Sequence, residues 1–264
     1  MTSWPNTPNP WFTSATLGDE MTQKHPRTNA GFFGAVTPES AYVLGLLATD
    51  GCVYDGDQVI LSQSGDDGAR LLRAVQLRTG GALYQGCGTS KSHRNSNRLI
   101  LYGKPVVALL AGYGVMARKT FTMKFPAMPK ECLHHYVRGL MDGDGCVASW
   151  TSRGRATPVL IENFSCASTV FVTGLLAALK AAGVDQPSVR KCSCADALSL
   201  TWACMKAVRF LGWVYQGATP DLLLVRKYRR FLEHLKLRAG VRTASKGPAL
   251  QQYSQPALYI GNTG

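Results

Sequence analysis

Two aspartates close matching apolar stretches of this chain. Asp50 ends Val43-Leu44-Gly45-Leu46-Leu47-Ala48-Thr49-Asp50, and 94 residues later Asp144 ends Val137-Arg138-Gly139-Leu140-Met141-Asp142-Gly143-Asp144. Each acid is followed by Gly-Cys-Val. A carboxylate at the C-terminus of a helix faces the negative end of the helix dipole, an unfavourable contact of roughly 0.3–1 kcal/mol. Two such carboxylates brought together also repel each other. A hard divalent cation relieves both problems, since Mg²⁺ takes one or two carboxylates and completes its shell with water and phosphate oxygens. Metal ions held this way generate hydroxide and stabilise the leaving oxygen of a phosphodiester. A single Asp-Gly is an ordinary way to end a helix in a turn. A duplicated one, in matched surroundings, points to paired acids serving a two-stranded substrate.

Paired acids need paired elements to carry them. Gly45 and Gly139 occupy equivalent places inside the two apolar stretches, and Gly139 continues as Gly139-x-x-x-Gly143. Glycine inside a helix costs roughly 1 kcal/mol relative to alanine, so close approach of two helix backbones is the expected reason for it. Tyr42, Leu46 and Leu47 on one side, and Val137, Leu140 and Met141 on the other, supply the apolar flanks of such a seam. The first helix starts at Thr37-Pro38-Glu39, with Thr as N-cap, Pro at the first helical position and an acid in the first turn.

After each motif the pattern repeats. Strands are expected around Cys52–Tyr54 and Val59–Gln63, a helix over Asp66–Arg78, strands around Ala82–Thr89 and Arg98–Tyr102, and a helix from Lys104 to about Met116. The second copy has strands near Cys146–Trp150 and Pro158–Ala167 and a helix over Thr169–Ala182. Strands near Ser188–Ser193 and Leu198–Ala203, a helix from Met205 and an amphipathic helix over about Pro220–Leu237 complete it. This predicts an α+β fold of two pseudo-symmetric αββαββα repeats, residues 37–126 and 127–239. Each repeat has a mostly antiparallel sheet with helices on one face and the other face left for a ligand. Residues 1–36, with four prolines among Asn, Thr and Ser, are expected to form an extension, and residues 240–264 a polar tail.

Charge suggests what that ligand is. Lys and Arg outnumber Asp and Glu by 29 to 16, a formal net charge of +13, which favours a polyanionic partner. The excess sits in both repeats, ten against six over residues 37–126 and fifteen against eight over residues 127–238. Arginines outnumber lysines seventeen to twelve, which suits bidentate contacts to guanine edges and phosphates. The eight cysteines lack any Cys-x2-Cys pair, which argues against zinc, and Cys52 and Cys146 are expected to be small buried hydrophobes. With no charged-then-apolar leader and no apolar run approaching 18 residues, an intracellular protein that does not enter membranes is expected.

The two motifs resemble the paired signature of the LAGLIDADG homing endonucleases in their single-chain, two-repeat form. The matching positions are Gly45 with Asp50-Gly51 and Gly139 with Asp144-Gly145. The stretch from Gly112 through Arg118-Lys119 to Pro126, leading into His135 and the second motif, is similar to the family's inter-repeat segment. Val225-Arg226-Lys227-Tyr228 resembles its late Arg-Lys element. The likeness spans about residues 37–238. The first motif departs from the fuller pattern in having Ala48 where the second has Asp142.

The resemblance implies a monomer that cuts both strands of DNA at a long asymmetric site, leaves 3′ overhangs, and serves intron homing or a related mobile element. It implies that Asp50 and Asp144 bind Mg²⁺ (or Mn²⁺, with Ca²⁺ as a non-cleaving substitute) at the two scissile phosphates. Lys119 and Lys227 then position water and stabilise developing charge. Gln63 stands where the family often places a polar active-site residue, and the second repeat offers Ser165 or Cys166 there. The implied saddle-shaped sheets would lie in the major groove. Candidate readers are Gln58, Gln85, Lys91, Arg94, Asn95, Asn97 and Arg98 in the first repeat, and Ser152, Arg153, Arg155, Arg190, Lys191 and Ser193 in the second. The rival expectation is a non-cleaving module, either a maturase gripping intron RNA or a DNA-binding regulator. The presence of both acids and both lysines favours the enzyme.

Overall fold

The computed structural model describes residues 26–86, 96–151, 153–154, 157–192 and 195–244, with the main chain alone for 241–244. Lys91, Arg94, Asn95, Ser152, Arg155, Ser193, most of the N-terminal extension and the tail beyond residue 244 lie outside the described residues.

The first repeat runs α1 (Pro38–Asp50), β1 (Gly51–Tyr54), β2 (Gln58–Ser64), α2 (Gly65–Thr79), β3 (Ala82–Tyr84), β4 (Ser96–Tyr102) and α3 (Lys104–Ala111). The second runs α4 (Leu133–Asp144), β5 (Gly145–Trp150), β6 (Val159–Cys166), α5 (Thr169–Ala181), β7 (Ser188–Lys191), β8 (Leu198–Ala203), α6 (Met205–Val214) and α7 (Val225–Ala244). The two sheets have the same strand order, β1-β2-β4-β3 and β5-β6-β8-β7, and every pairing is antiparallel. The expected α+β plan of two matched repeats is therefore the observed one.

Alternation fixes the two faces of each sheet. Val59, Leu61, Leu99 and Leu101 of the first sheet, and Leu160, Phe164, Leu200 and Trp202 of the second, are buried on the side where α2, α5 and α6 pack. Full burial of each such side chain stabilises the fold by roughly 1.5–3 kcal/mol. The residues between them, such as Gln58, Ile60 and Ser62, stay partly open. Cys52 and Cys146 belong to this open face and are exposed, which corrects the expectation that they are buried. They pair with Ile60 and Asn163, so one residue past the motif the chain already points away from the core.

The sheets are joined through α1 and α4, the pair of elements in most extensive contact. Thr37 caps α1 as expected, accepting from Ser40 N at 3.2 Å while Thr37 N donates to Ser40 Oγ at 2.8 Å. At the crossing point the glycines face each other. A Cβ added to Gly45 would come within 2.9 Å of Gly139 Cα, and one added to Gly139 within 2.8 Å of Gly45 Cα. Each would also collide with a carbonyl oxygen, that of Tyr136 or Tyr42. All six expected seam residues are buried.

Several boundaries differ from the sequence expectation, among them the end of α7, which reaches Ala244 rather than about Leu237. Helix α3 stops at Ala111 rather than near Met116, because turns at Gly112 and Gly114 (φ +83°) break it. Helix α7 starts at Val225 rather than Pro220. Its apparent first turn, Leu222–Leu224, is a buried loop segment anchored by Leu224 N donating to Asp142 Oδ2 at 2.9 Å. Finally, residues 27–33 of the expected extension form a strap. Asn29 N donates to Thr79 O at 2.7 Å, Tyr102 N to Thr28 Oγ1 at 2.8 Å, and Phe33 is fully buried.

Candidate functional site

Because the glycine seam sets α1 and α4 side by side, both helices end at the same place. A Cβ added to Gly143 would lie 3.0 Å from Asp50 Oδ2, so the first acid rests against the residue preceding the second. Each repels the other's charge. Burial first, then Asp144, pushes the Asp50 carboxyl from 3.8 up to about 6, against the pull of Lys227, Lys119 and the Gln63 amide. Burial also raises Asp144, while Lys227 and Lys119 draw it back down. Both lysines are lowered by burial. Two acids and two lysines thus share one partly desolvated floor at the mouth of the seam.

Gln63 sits on the buried face of β2 and donates from Nε2 to Asp50 Oδ2 at 2.5 Å. Its counterpart in the second repeat follows from register. Gly51 pairs with Leu61 and Gly145 with Phe164, which makes Cys166, two residues on, the equivalent of Gln63. Burial pushes its thiol up, favouring the protonated form, and the Asp144 charge adds to that rise. Ser165 points to the open face and is exposed. The two halves of the floor are therefore unequal, an amide in one and a thiol in the other.

The lysines come from a loop and a helix start; each ammonium bonds carbonyls of its own repeat, while the segment carrying it is fastened by the opposite one. Lys119 donates to Gly51 O from a turn in which Met123 N bonds Lys119 O at 2.9 Å. That turn is fastened by Ser168, the N-cap of α5, whose Oγ donates to Met123 O at 2.6 Å. Lys227 lies in the first turn of α7, where its Nζ donates to the carbonyls of Met141 and Asp142 at 2.7 Å and of Gly143 at 3.2 Å. It thereby satisfies the last carbonyls of α4. Asp67 of α2 accepts from Val225 N at 3.1 Å and Arg226 N at 3.0 Å, capping α7 from the first repeat. Neither Asp67 nor Ser168 carries a local sequence signal for this role, because each partner lies far along the chain.

Asp142, the extra acid of the second motif, is fully buried and structural. Its Oδ2 accepts from Tyr42 OH at 2.8 Å as well as from Leu224 N. Nothing equivalent is needed at Ala48.

Among the described residues no three His, Cys, Asp or Glu side chains are grouped to hold a metal ion. The donor set at the floor is two carboxyl groups pushed above the usual carboxylate range, with no imidazole among the described residues. That set fits a hard divalent cation that keeps waters and takes phosphate oxygens for its remaining positions.

Of the expected readers, Gln58, Arg98 and Arg190 sit on the open sheet faces, paired with Tyr102, Ser62 and Ser199. Gln85 and Arg153 are exposed beyond strand ends. One expectation is corrected, and one exposed residue stands off the open face. Asn97 is buried and its Nδ2 donates to Gln63 O at 3.2 Å and Gly65 O at 3.0 Å, so it braces the β2–β4 edge. Lys191 pairs with Leu198 rather than with an open-face residue, and its ammonium lies 3.6 Å from Asp196. The open face also carries groups that sequence reading passed over. Asn163 donates to Ser199 Oγ at 2.7 Å and Thr201 Oγ1 at 2.8 Å, while Tyr54, Tyr84 and Trp150 are exposed. Their alternation with core residues was the available signal.

Two equal sheets joined by a glycine-lined helix pair, with acids at the helix ends, define the LAGLIDADG architecture, and this chain has that fold. It is similar to the LAGLIDADG meganuclease I-AabMI, solved bound to uncleaved DNA, at 10% identity and a TM-score of 0.53, over 80% of this chain and 93% of that one. It is similar to the LAGLIDADG homing endonuclease I-GzeII, solved in complex with its DNA target, at 10% identity and a TM-score of 0.54, over 80% and 92%. No family model and no curated protein matches the sequence. No helix among the described residues is long and apolar enough to cross a membrane.

Proposed function

We propose that the protein is a site-specific, divalent-metal-dependent endonuclease that cuts both strands of a DNA duplex lying across its two open sheet faces. The observation that carries this reading is the convergence of Asp50 and Asp144, with Lys119 and Lys227, at the mouth of the α1–α4 seam. The DNA complexes of I-AabMI and I-GzeII, on the same fold, support the choice of partner, as does the net charge of +13.

Asp50 and Asp144 would each hold a Mg²⁺ or Mn²⁺ ion, with Ca²⁺ binding without cleavage. The bound metal would supply Lewis acidity toward a scissile phosphate and promote loss of a proton from its water. Gln63 orients the Asp50 carboxylate through its hydrogen bond. Lys119 and Lys227, held at the helix ends, place positive charge where the phosphorane oxygens and leaving oxygen gain negative charge. Gln58, Arg98, Arg153, Arg190 and Gln85 read bases or grip phosphates, joined by Lys91, Arg94, Asn95, Ser152, Arg155 and Ser193. Because the two sheets present different side chains, the preferred site is asymmetric. We also assign it 3′ overhangs, a monomeric state and a mobile-element origin.

The test is incubation with a randomised duplex library and Mg²⁺, followed by sequencing of new ends. Cleavage at one recurrent sequence, lost in EDTA, is the expected result. Tight binding of DNA or intron RNA without any new ends would instead indicate a non-cleaving module.

A further inference from the structure

The second repeat buries charge where the first buries hydrocarbon. Matched along the motif helices, Leu44 and Ala48 of α1 correspond to Arg138 and Asp142 of α4. Matched by strand register, Val59, which pairs with Val53, corresponds to Glu162, which pairs with Val147. Arg138, Asp142 and Glu162 are all fully buried. Among the described residues, neither carboxylate oxygen of Glu162 has a hydrogen-bond partner. A buried carboxylate left without compensation is strongly unfavourable, so an unpaired one in a fold this regular needs a reason.

Its surroundings supply one. A Cβ added to Gly145 would sit 2.5 Å from Glu162 Oε1 and would also strike the Met141 carbonyl. That same Met141 carbonyl accepts the Lys227 ammonium at 2.7 Å. The carboxylate and the ammonium therefore close on the last turn of α4 from β6 and from α7, with bare Gly145 leaving the room. We infer that Glu162 is a positioning residue for Lys227, the buried counter-charge that holds its ammonium at the end of α4 beside Asp144. Electrostatics agree with the geometry. Burial pushes the Glu162 carboxyl up to about 8, with Lys227 the largest influence opposing that rise, and Asp142 first, then Glu162, oppose the burial-driven fall of Lys227. Lys119 has no such acid, since its repeat has Val59 at that place. The two halves of the site then differ in how firmly their lysines are held, and the strand served by Lys227 is the one that depends on Glu162.

This inference rests on the endonuclease reading for its catalytic consequence, and the experiment separates the two. Duplexes labelled on either strand, carrying the site recovered from the library, are cut by wild type, Glu162→Gln, Glu162→Val and Lys227→Met. The Glu162 variants are expected to slow, by about tenfold, the same strand that Lys227→Met silences. The other strand's rate and the Ca²⁺-supported DNA affinity should stay within about twofold, so that nicked duplex accumulates. Equal slowing of both strands, or of neither, would overturn the inference. A thermal double-mutant cycle needs no DNA. The Tm loss of Glu162→Gln/Lys227→Met should be clearly smaller than the sum of the single losses, because removing both charges leaves neither stranded. Additive losses would overturn the inference too. Should wild type cut no DNA, the endonuclease reading fails, while the cycle still decides whether Glu162 holds Lys227.

Discussion

Asp50 is held in a state that favours its protonated form, and the sign of that effect makes a measurable prediction. Its carboxyl ionises near 3.8 in an unfolded chain and near 6 in the folded protein, because of burial and the Asp144 charge. A carboxyl raised by folding binds its proton more tightly in the native state, so the unfavourable contribution is absent below about pH 4. It grows between about 4 and 6 and is fully present above 6. Asp50→Asn should therefore stabilise the metal-free protein at pH 7.5 by about 1–2 kcal/mol, discounted for the solvent that reaches the site. At pH 5 the gain should shrink. Urea melts at the two pH values measure it, and Mg²⁺ should raise the midpoint of wild type by more than that of the variant, which keeps only Asp144. Gln63 was legible beforehand through the family resemblance, as the polar residue near the end of the second strand. Glu162 was hidden by the same alternation, which marks a buried position without saying what compensates a charge placed there.

Packing of α1 on α4 determines whether the acids meet at all. Gly45→Leu should lose more than about 3 kcal/mol, beyond the usual range for overpacking, because the added atoms meet backbone rather than mobile side chains. Intrinsic helix propensity acts the other way, by roughly 1 kcal/mol in favour of any non-glycine residue, so the sign of the measured change shows that close approach dominates. Asp67→Ala removes the cap of α7 and should lower stability by about 1 kcal/mol. It should also slow one strand's cleavage while leaving the other unchanged, since Lys227 sits in that first turn. The seam and the order of elements along each repeat were readable because helix and strand periods and the duplicated motif are local patterns. The cross-repeat fastening by Asp67 and Ser168 was not, because its partners are 158 and 45 residues away. The same holds for the buried loop Leu222–Leu224, whose apolar run imitates the start of a helix.

Taken whole, the molecule sets two open sheet faces beside one acidic floor within a strongly basic chain. Under the proposed function, DNA binding by such a surface is driven largely by release of counterions. If it neutralises roughly six to ten phosphates, affinity should fall by about 10³–10⁵ between 50 and 200 mM salt, a slope that fluorescence anisotropy in Ca²⁺ can follow. Changing Arg98 or Arg190 to Ala should relax the preference at particular base pairs rather than weaken all sequences equally. The reading of the fold stands apart from the chemistry, which depends on the two acids serving one duplex. Strand-resolved cleavage by Asp50→Asn and Asp144→Asn in Mg²⁺, set beside their DNA affinity in Ca²⁺, addresses that dependence. Each variant is predicted to lose double-strand cutting by at least about a hundredfold while binding the site within a few-fold of wild type. Either variant cutting both strands at the wild-type rate would show that the acids at the mouth of the seam are not the ones that cleave DNA.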